Sequence, residues 1–440
     1  MSFPSYPSYK ESNLDWLPRI PDSWKQSRLK NLFDLMKRIP EETDEIVTAF
    51  RDGEVTLRSN RRIDGFTNAI HEHGYQRVMP NDLVIHAMDA FAGAIGVSDS
   101  VGKSTPVYSV CSLRDSHNNV HYFARLLRTL ALNGFVNSLA KGVRERSTEF
   151  RWKEAGGIFV PLPSPTEQQA IASFLDHETA KIDALIAEQQ RLIELLKEKR
   201  QAVISRAVTK GLNPHVRMKD SGVEWLGEVP EHWEVMPIRF AAKLESGHTP
   251  SRSRPDWWQD CKHPWISLGD VWQIRESKAK YIYETKEKIS DLGLENSAAR
   301  LLPKGTVVLS RTASVGFSGI MGSQMATTQD FANWVCRDVL LPEYLLFVFR
   351  SMGNEFARLK YGSTHNTIYM PDIMGLRFAL PRIEEQVKIL EFIDCQLNGH
   401  DALLASAKRS IELLNERRTA LISAAVTGQI DVRGFKPVAA

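Results

Sequence analysis

The chain has 440 residues, enough for two to four domains, each able to bury a core of its own. Hydrophobic residues at 42% and charged residues at 25% exclude wholesale disorder, and the net charge of +3 neither argues for nor against a nucleic-acid partner. The four cysteines are far apart with no C-x-x-C pair, which excludes a disulfide framework or structural zinc and fits a reducing cytoplasm. The amino-terminal stretch MSFPSYPSYKESNLDW lacks the pattern of a secretion signal, and no run of 18 apolar residues suggests a membrane span.

In chain order, the first informative element is a segment that returns. Tyr9 to Trp24, YKESNLDWLPRIPDSW, aligns without a gap with Met218 to Trp233, MKDSGVEWLGEVPEHW. The block that follows predicts short strands broken by Gly and Pro, among them Asp82 to Ala87. A long helix then begins at Pro165. Ser164 and Glu167 have capping-box spacing, Pro165 suits the first helical position, and no Pro or Gly interrupts the stretch to about Ala207. Apolar residues recur on a helical period through Ile171, Leu175, Ile182, Leu185, Leu192, Leu196 and Val203. A helix of that length, about 65 Å, needs a partner for its stripe.

That partner is the helix's own repeat. Leu162 to Leu212 aligns ungapped with Leu380 to Ile430 with more than twenty identities. The second helix, Glu384 to Val426, carries a similar stripe through Ile389, Ile393, Leu404, Ile411, Leu414, Leu421 and Ala425, although Gly399 and His400 weaken its centre. Between the repeats the second block predicts strands at Gly305 to Ser310 and Asn333 to Cys336, and Tyr122 to Arg128 echoes Tyr344 to Arg350. The expected fold class is α+β. Two tandem α/β recognition domains are separated by two long helices packed as an antiparallel coiled coil, a pseudo-twofold internal repeat. The expected boundaries are 1–160 and 213–378 for the domains, 161–212 and 379–432 for the helical spacers, and 433–440 for a tail.

Motifs for catalysis are imperfect. Gly96 to Ser104 has one residue too many between its glycines for a phosphate-binding P-loop, and reads instead as a surface turn with Lys103 free to meet phosphate. Phe91 to Gly96 resembles a methyltransferase glycine turn with a displaced second glycine, and no D-P-P-Y or N-P-P-Y accompanies it. Asp256, Glu276 and Lys278 satisfy a permissive nuclease pattern that the first half lacks. The pairs His71 with His73 and Cys261 with His263 lack the further ligands of a zinc site.

The repeated half-starts, the segments SGHTP (Ser246 to Pro250), PWISLGD (Pro264 to Asp270), SRTASVG (Ser310 to Gly316) and TTQDFANW (Thr327 to Trp334), and the repeated LP-x-x-x-EQ helix start together resemble specificity subunits of type I restriction–modification enzymes. The resemblance runs from Tyr9 to about Val432. It implies two target recognition domains, each reading one half of a bipartite asymmetric site on double-stranded DNA, with the helices fixing the spacer. It also implies two docked methyltransferase subunits and restriction subunits that add ATP-driven cleavage. S-adenosylmethionine, ATP and Mg²⁺ then belong to those partners, and this chain holds no cofactor, metal or catalytic residue. LRSNRR (Leu57 to Arg62) and HAMDAFAGAIGVS (His86 to Ser98) set the first domain apart from the second, so the half-sites should differ.

Basic residues position a protein on phosphate, while Arg, Asn, Ser and Thr read base edges. On that ground the candidate contacts in the first block are Arg58, Arg61, Arg62, Lys103, Ser104, Arg144 and Arg146. In the second block they are Thr249, Arg252, Arg254, Arg311, Lys360, Ser363, Thr364, His365 and Asn366. The rival readings are a stand-alone nuclease or DNA methyltransferase, and a helical scaffold that ignores DNA.

Overall fold

The computed structural model describes residues 3–61, 72–139, 149–275, 279–361 and 366–435. The fold is mixed α/β with two long helices, Pro165–Lys210 and Ile383–Val426. The chain divides into two compact units, one of Met1–Gln190 with Arg409–Ala440, the other of Arg191–Lys408. Each unit therefore contains one variable block, the near half of one long helix and the opposite half of the other.

In the first unit an antiparallel hairpin, Tyr9–Leu14 with Leu17–Pro21, leads to a four-stranded antiparallel sheet. The sheet order is Phe33–Leu35, Tyr108–Leu113, Leu83–His86, Ile95–Val97. The strand expected at Asp82 to Ala87 is there as Leu83–His86, its first three residues fully buried because both faces are covered. Helix Val120–Leu132 packs on the sheet with Tyr122, Phe123, Leu126, Leu127 and Leu130, the three- and four-residue spacing that one apolar face requires.

The second unit repeats the scheme with a larger sheet. After the hairpin Met218–Asp220 with Glu228–Pro230 comes a five-stranded sheet ordered Ala242–Ser246, Phe331–Cys336, Val307–Ser310, Ser318–Met321, Tyr281–Ile282. A three-stranded sheet of Glu287–Ile289, His263–Ile266 and Ala326–Thr327 supports the loops beside it. Helix Pro342–Ser351 fills the place of Val120–Leu132.

The repeated helix starts have a common physical basis. Gln168 and Gln386 are both fully buried. The Gln168 side chain donates to Pro163 O at 3.0 Å and accepts from Asn119 N at 2.9 Å. Gln386 donates to Pro381 O and accepts from Leu341 N, each at 2.9 Å. One amide thus joins the incoming strand, the helix start and the chain entering the domain helix, and leaves no buried polar group unmatched there.

The repeated tyrosines add a second tie. The Tyr122 hydroxyl, fully buried, lies 3.3 Å from Pro161 O and 3.2 Å from Val426 O. In the other unit Tyr344 lies 3.2 Å from both Ala379 O and Val208 O. The carbonyls at a helix end lack intrahelical partners, and these hydroxyls satisfy them. Each unit takes the carboxyl end of the long helix that belongs, by sequence, to the other half.

One expectation needs correction. Leu185 and Leu192, assigned to the buried stripe, are 52% and 41% exposed. The buried positions are Ile171, Phe174, Leu175 and Ile182 in one unit and Ile193, Leu196 and Ile204 in the other. The stripe drifts around the helix because a straight 3.6-residue helix loses register with any single face over this length. Gly399 and His400, at the weak centre of the second stripe, lie in a helix that runs unbroken, with His400 buried.

Ile182→Ala should therefore destabilise the protein by about 2–4 kcal/mol, as buried truncations do, whereas Leu185→Ala should change stability by no more than about 0.5 kcal/mol. Urea denaturation of the two variants checks this; equal losses would restore Leu185 to the core.

Candidate nucleic-acid interface

In the first unit the two described arginines of the LRSNRR run meet at one recess. Strands Val47–Ala49 and Val55–Leu57 pair antiparallel, and Arg58 follows the second, so its side chain turns back to donate Nε to Thr48 Oγ1 at 3.0 Å. Arg61 forms a forked pair with Asp52, one arm at 3.0 Å, reaches Glu54 at 3.1 Å, and lies 4.3 Å over the Phe50 ring. The recess has a volume of about 800 Å³ and is also lined by Arg51, His86, Asp89 and Tyr108. Burial lowers the His86 pKa, opposed by Asp89 and aided by Arg51, so its ring is neutral near pH 7. The Asp89 N–H donates to His86 Nδ1 at 2.9 Å, which leaves the other ring nitrogen as the donor. A neutral donor beside arginines and a tyrosine hydroxyl is the kind of mixed polar surface that base edges need.

Other candidates in this unit fare differently. Lys103 stands in strand Gly102–Ser104, its side chain 11% exposed and paired with Glu72 at 2.7 Å. This corrects the reading of Lys103 as free: Gly96 to Ser104 is two strand ends joined by a turn that exposes Asp99 and Val101, and Ser104 is buried completely, so no groove can reach it. Gly96 itself is fixed by packing. A Cβ there would stand 2.0 Å from Gly53 O, so the glycine that suggested a methyltransferase turn is required by close backbone approach. Arg62, Arg144, Arg146 and His71 lie outside the described residues.

The second unit gathers its candidates on loops at one sheet end. A Cβ on Gly247 would lie 2.1 Å from Thr327 Oγ1, so SGHTP and TTQDF are pressed together by a residue that must be glycine. Thr249 Oγ1 then donates to Gln329 Oε1 at 2.7 Å. Arg252 lies 3.7 Å over the Trp258 ring and pairs with Glu287. Arg254 holds Asp256 in a forked pair at 3.0 and 2.8 Å, which keeps that carboxyl below its usual range. Asp256 is thereby committed to a guanidinium, while Glu276 and Lys278 of the nuclease pattern lie outside the described residues.

Arg311 has a positioning role. Its Nε donates to Gln329 O at 2.9 Å, and its backbone N and O pair with Asp330 O and Ile368 N, both at 2.9 Å. Ala313, with φ of +57°, donates its N–H to Asn366 O at 2.8 Å. The loops around 311, 329 and 366 are therefore one stitched surface, with Asn366 and Lys360 exposed on it. Ser363, Thr364 and His365 fall outside the described residues.

The sequence reading missed several side chains on these surfaces. Tyr361 and Tyr369 are 55% and 56% exposed with ring centres 5.8 Å apart, and flank Asn366. Trp257 and Trp258 carry Arg254 and Arg252 on their rings. In the first unit the missed side chains are Arg51, Thr48 and His86. Paired tryptophans in the polar loop SRSRPDWWQD were a usable signal; His86 was not, because only the fold brings it to Arg58. Among the described residues no group of three or more His, Cys, Asp or Glu is arranged to hold a metal ion.

Close packing at Gly96 has a measurable consequence. Gly96→Ala should cost more than about 2 kcal/mol, since backbone must shift, whereas Gly399→Ala, with nothing within 4 Å of the added carbon, should stabilise by about 0.5–1 kcal/mol. Thermal unfolding of both variants decides it; a tolerated Gly96→Ala would contradict the close approach.

A family model described as the type I restriction modification DNA specificity domain matches residues 230–413. The MjaIX specificity subunit of Methanocaldococcus jannaschii is 27% identical over 195 residues, an alignment covering 43% of each chain. The MjaVIII specificity subunit from the same organism is 21% identical over 97% of this chain and 98% of its own length. A solved chain from a study of the structural basis underlying complex assembly and conformational transition of the type I R-M system shares the fold. Its TM-score is 0.69 at 15% identity, covering 93% of this chain and 99% of that one. Among the described residues no helix is long and apolar enough to cross a membrane. Over residues 230–413 by the family model, and over nearly its whole length by the MjaVIII relative, the chain is similar to type I restriction–modification DNA specificity subunits.

Proposed function

We propose that the two variable blocks, residues 1–160 and 213–378, are separate target recognition domains that each read one half of a bipartite asymmetric DNA site. Residues 161–212 and 379–432 are then the antiparallel coiled coil that fixes the spacer. The observation that carries this reading is the exchange of ties between repeats: Tyr122 on Val426 and Tyr344 on Val208, each with a buried glutamine at the adjacent helix start. One scaffold is built twice around different loops. Keeping the mount while varying the reader is what a two-part specificity device requires.

Antiparallel pairing is supported separately within each unit. Asp183 pairs with Arg418 at 3.1 Å in the first, and Arg200 pairs with Asp401 in the second. The half-sites should differ, since the first reader offers a recess with Arg58, Arg61 and a neutral His86, and the second an aromatic-rich loop surface. Exposed leucines on the long helices, Leu185 and Leu413 in the first unit and Leu192, Leu195 and Leu403 in the second, offer apolar surface for the docking of two methyltransferase subunits. Restriction subunits join that assembly. Chemistry lies in the partners, with S-adenosylmethionine, ATP and Mg²⁺ bound there, in the cytoplasm. Methyl transfer by the isolated chain would instead favour the stand-alone methyltransferase.

The test is an exchange of residues 218–378 for the matching block of a relative, in complex with the methyltransferase subunits. The methylated sequence should change in one half-site only, with the other half and the spacer unaltered. A change in both halves would contradict independent readers.

A further inference from the structure

A second basic surface lies in the second unit, beside the loops that gather the candidate readers. A recess of about 490 Å³ is lined by Lys197 and Arg200 from one long helix, Lys408 and Asp401 from the other, Arg275 from the short helix Trp272–Arg275, and Arg350 from helix Pro342–Ser351. Five cations and one carboxylate line the recess; Asp401 is engaged by Arg200, and Lys197 pairs with Glu194 on its own helix at 2.9 Å, so positive charge remains in excess among the described residues. Lys197 and Arg200 are three residues apart and so share a helix face. Arg350 is held from behind: its Nη2 donates to Ala279 O at 2.6 Å, and its carbonyl accepts from Gln201 Nε2 at 2.7 Å. Burial, with Arg200 nearby, pushes the Arg350 pKa down to about 10. Like charges held together in a concave, partly dry space favour an anion as occupant.

The recess connects to the loop surface. Arg275 Nη2 donates to Ser314 Oγ at 3.3 Å, and Ser314 belongs to the loop that starts at Arg311. A duplex seated on the loops therefore has its next contacts along this path. Guanidinium forks and lysine ammonium groups match the oxygens of a phosphodiester, and such contacts hold a duplex without reading sequence.

We propose that the recess lined by Lys197, Arg200, Arg275, Arg350 and Lys408 is a phosphate-backbone site that grips the DNA flanking the second half-site. It rests on the reading of the chain as a DNA specificity subunit and adds to it a role for the long helices: they contact DNA themselves as well as holding the readers. The contact is blind to sequence, so it contributes affinity and salt dependence and leaves the half-sites unchanged.

The experiment uses the complete chain with its methyltransferase subunits and DNA carrying the site found from the methylome. Two variants remove charge from exposed positions, Lys197→Gln with Lys408→Gln, and Arg275→Gln. For each phosphate that a variant no longer neutralises, the log–log slope of affinity against salt should become shallower by about 0.9, with methylated sequence and preferred spacer unchanged. Ethylating phosphates that flank the second half-site should weaken wild-type binding and have little further effect on the double variant. Unchanged slope and an unchanged ethylation pattern would overturn the proposal. So would failure of the variants to assemble with methyltransferase subunits that bind the wild type, since the recess would then hold partner carboxylates. A wild-type complex with no preferred sequence would overturn the parent reading, and the proposal with it.

Discussion

The architecture depends on a small set of buried polar ties at the two ends of each long helix. A helix of more than 40 residues presents unpartnered backbone groups at both ends, and here the finishes are buried, at Ala207 and Val208 in one helix and Ala425 and Val426 in the other. Leaving one buried carbonyl unmatched costs about 1–3 kcal/mol, so the ends must be answered by side chains. Tyr122 and Tyr344 answer carbonyls at the finishes, while Gln168 and Gln386, in the first turns, tie the strand before each long helix to the chain entering the domain helix. These four residues decide which helix end each block grips.

The grip crosses the repeat. By sequence, a block and the helix after it form one half; by contact, each block also holds the carboxyl end of the other half's helix. The ties are the same on both sides, but the surroundings are not. In the first unit Glu167 accepts from both Tyr6, at 2.7 Å, and Trp24, at 2.9 Å. Its counterpart Glu385 takes His232 at 2.9 Å, while the Trp233 indole nitrogen is buried without a partner. The tyrosine and glutamine ties are common to both units, and the partners of the glutamate are not.

Much of this was legible in the sequence because it is local or repeated. Pro165 and Ser164 mark a helix start from backbone chemistry alone, and the repeat locates the second start directly. The buried face was less legible: Leu185 and Leu192 fit a helical period, but a long helix has more apolar residues than one partner can cover. The candidate interface was the least legible. Arg252, Arg254 and Arg58 were chosen for charge and do lie on loop or recess surfaces, yet Arg311 spends its guanidinium on backbone carbonyls and Ser104 is sealed in a strand. Charge is a property of the residue, whereas direction is a property of the fold. Tyr361, Tyr369 and His86 acquire their setting only through contacts between distant segments.

The central claim is that paired helices hold two independent readers at a set spacing. Seven residues inserted between Gln190 and Arg191, and seven more between Lys408 and Arg409, lengthen both helices by one heptad and keep their apolar faces in phase. The added rise is about 10.5 Å, or about three base pairs of duplex. In a library of sites with varied spacers, the variant complex should keep both half-site sequences and prefer a gap longer by about two to four base pairs. An unchanged spacer preference in a folded variant that still binds its methyltransferase subunits would contradict the account.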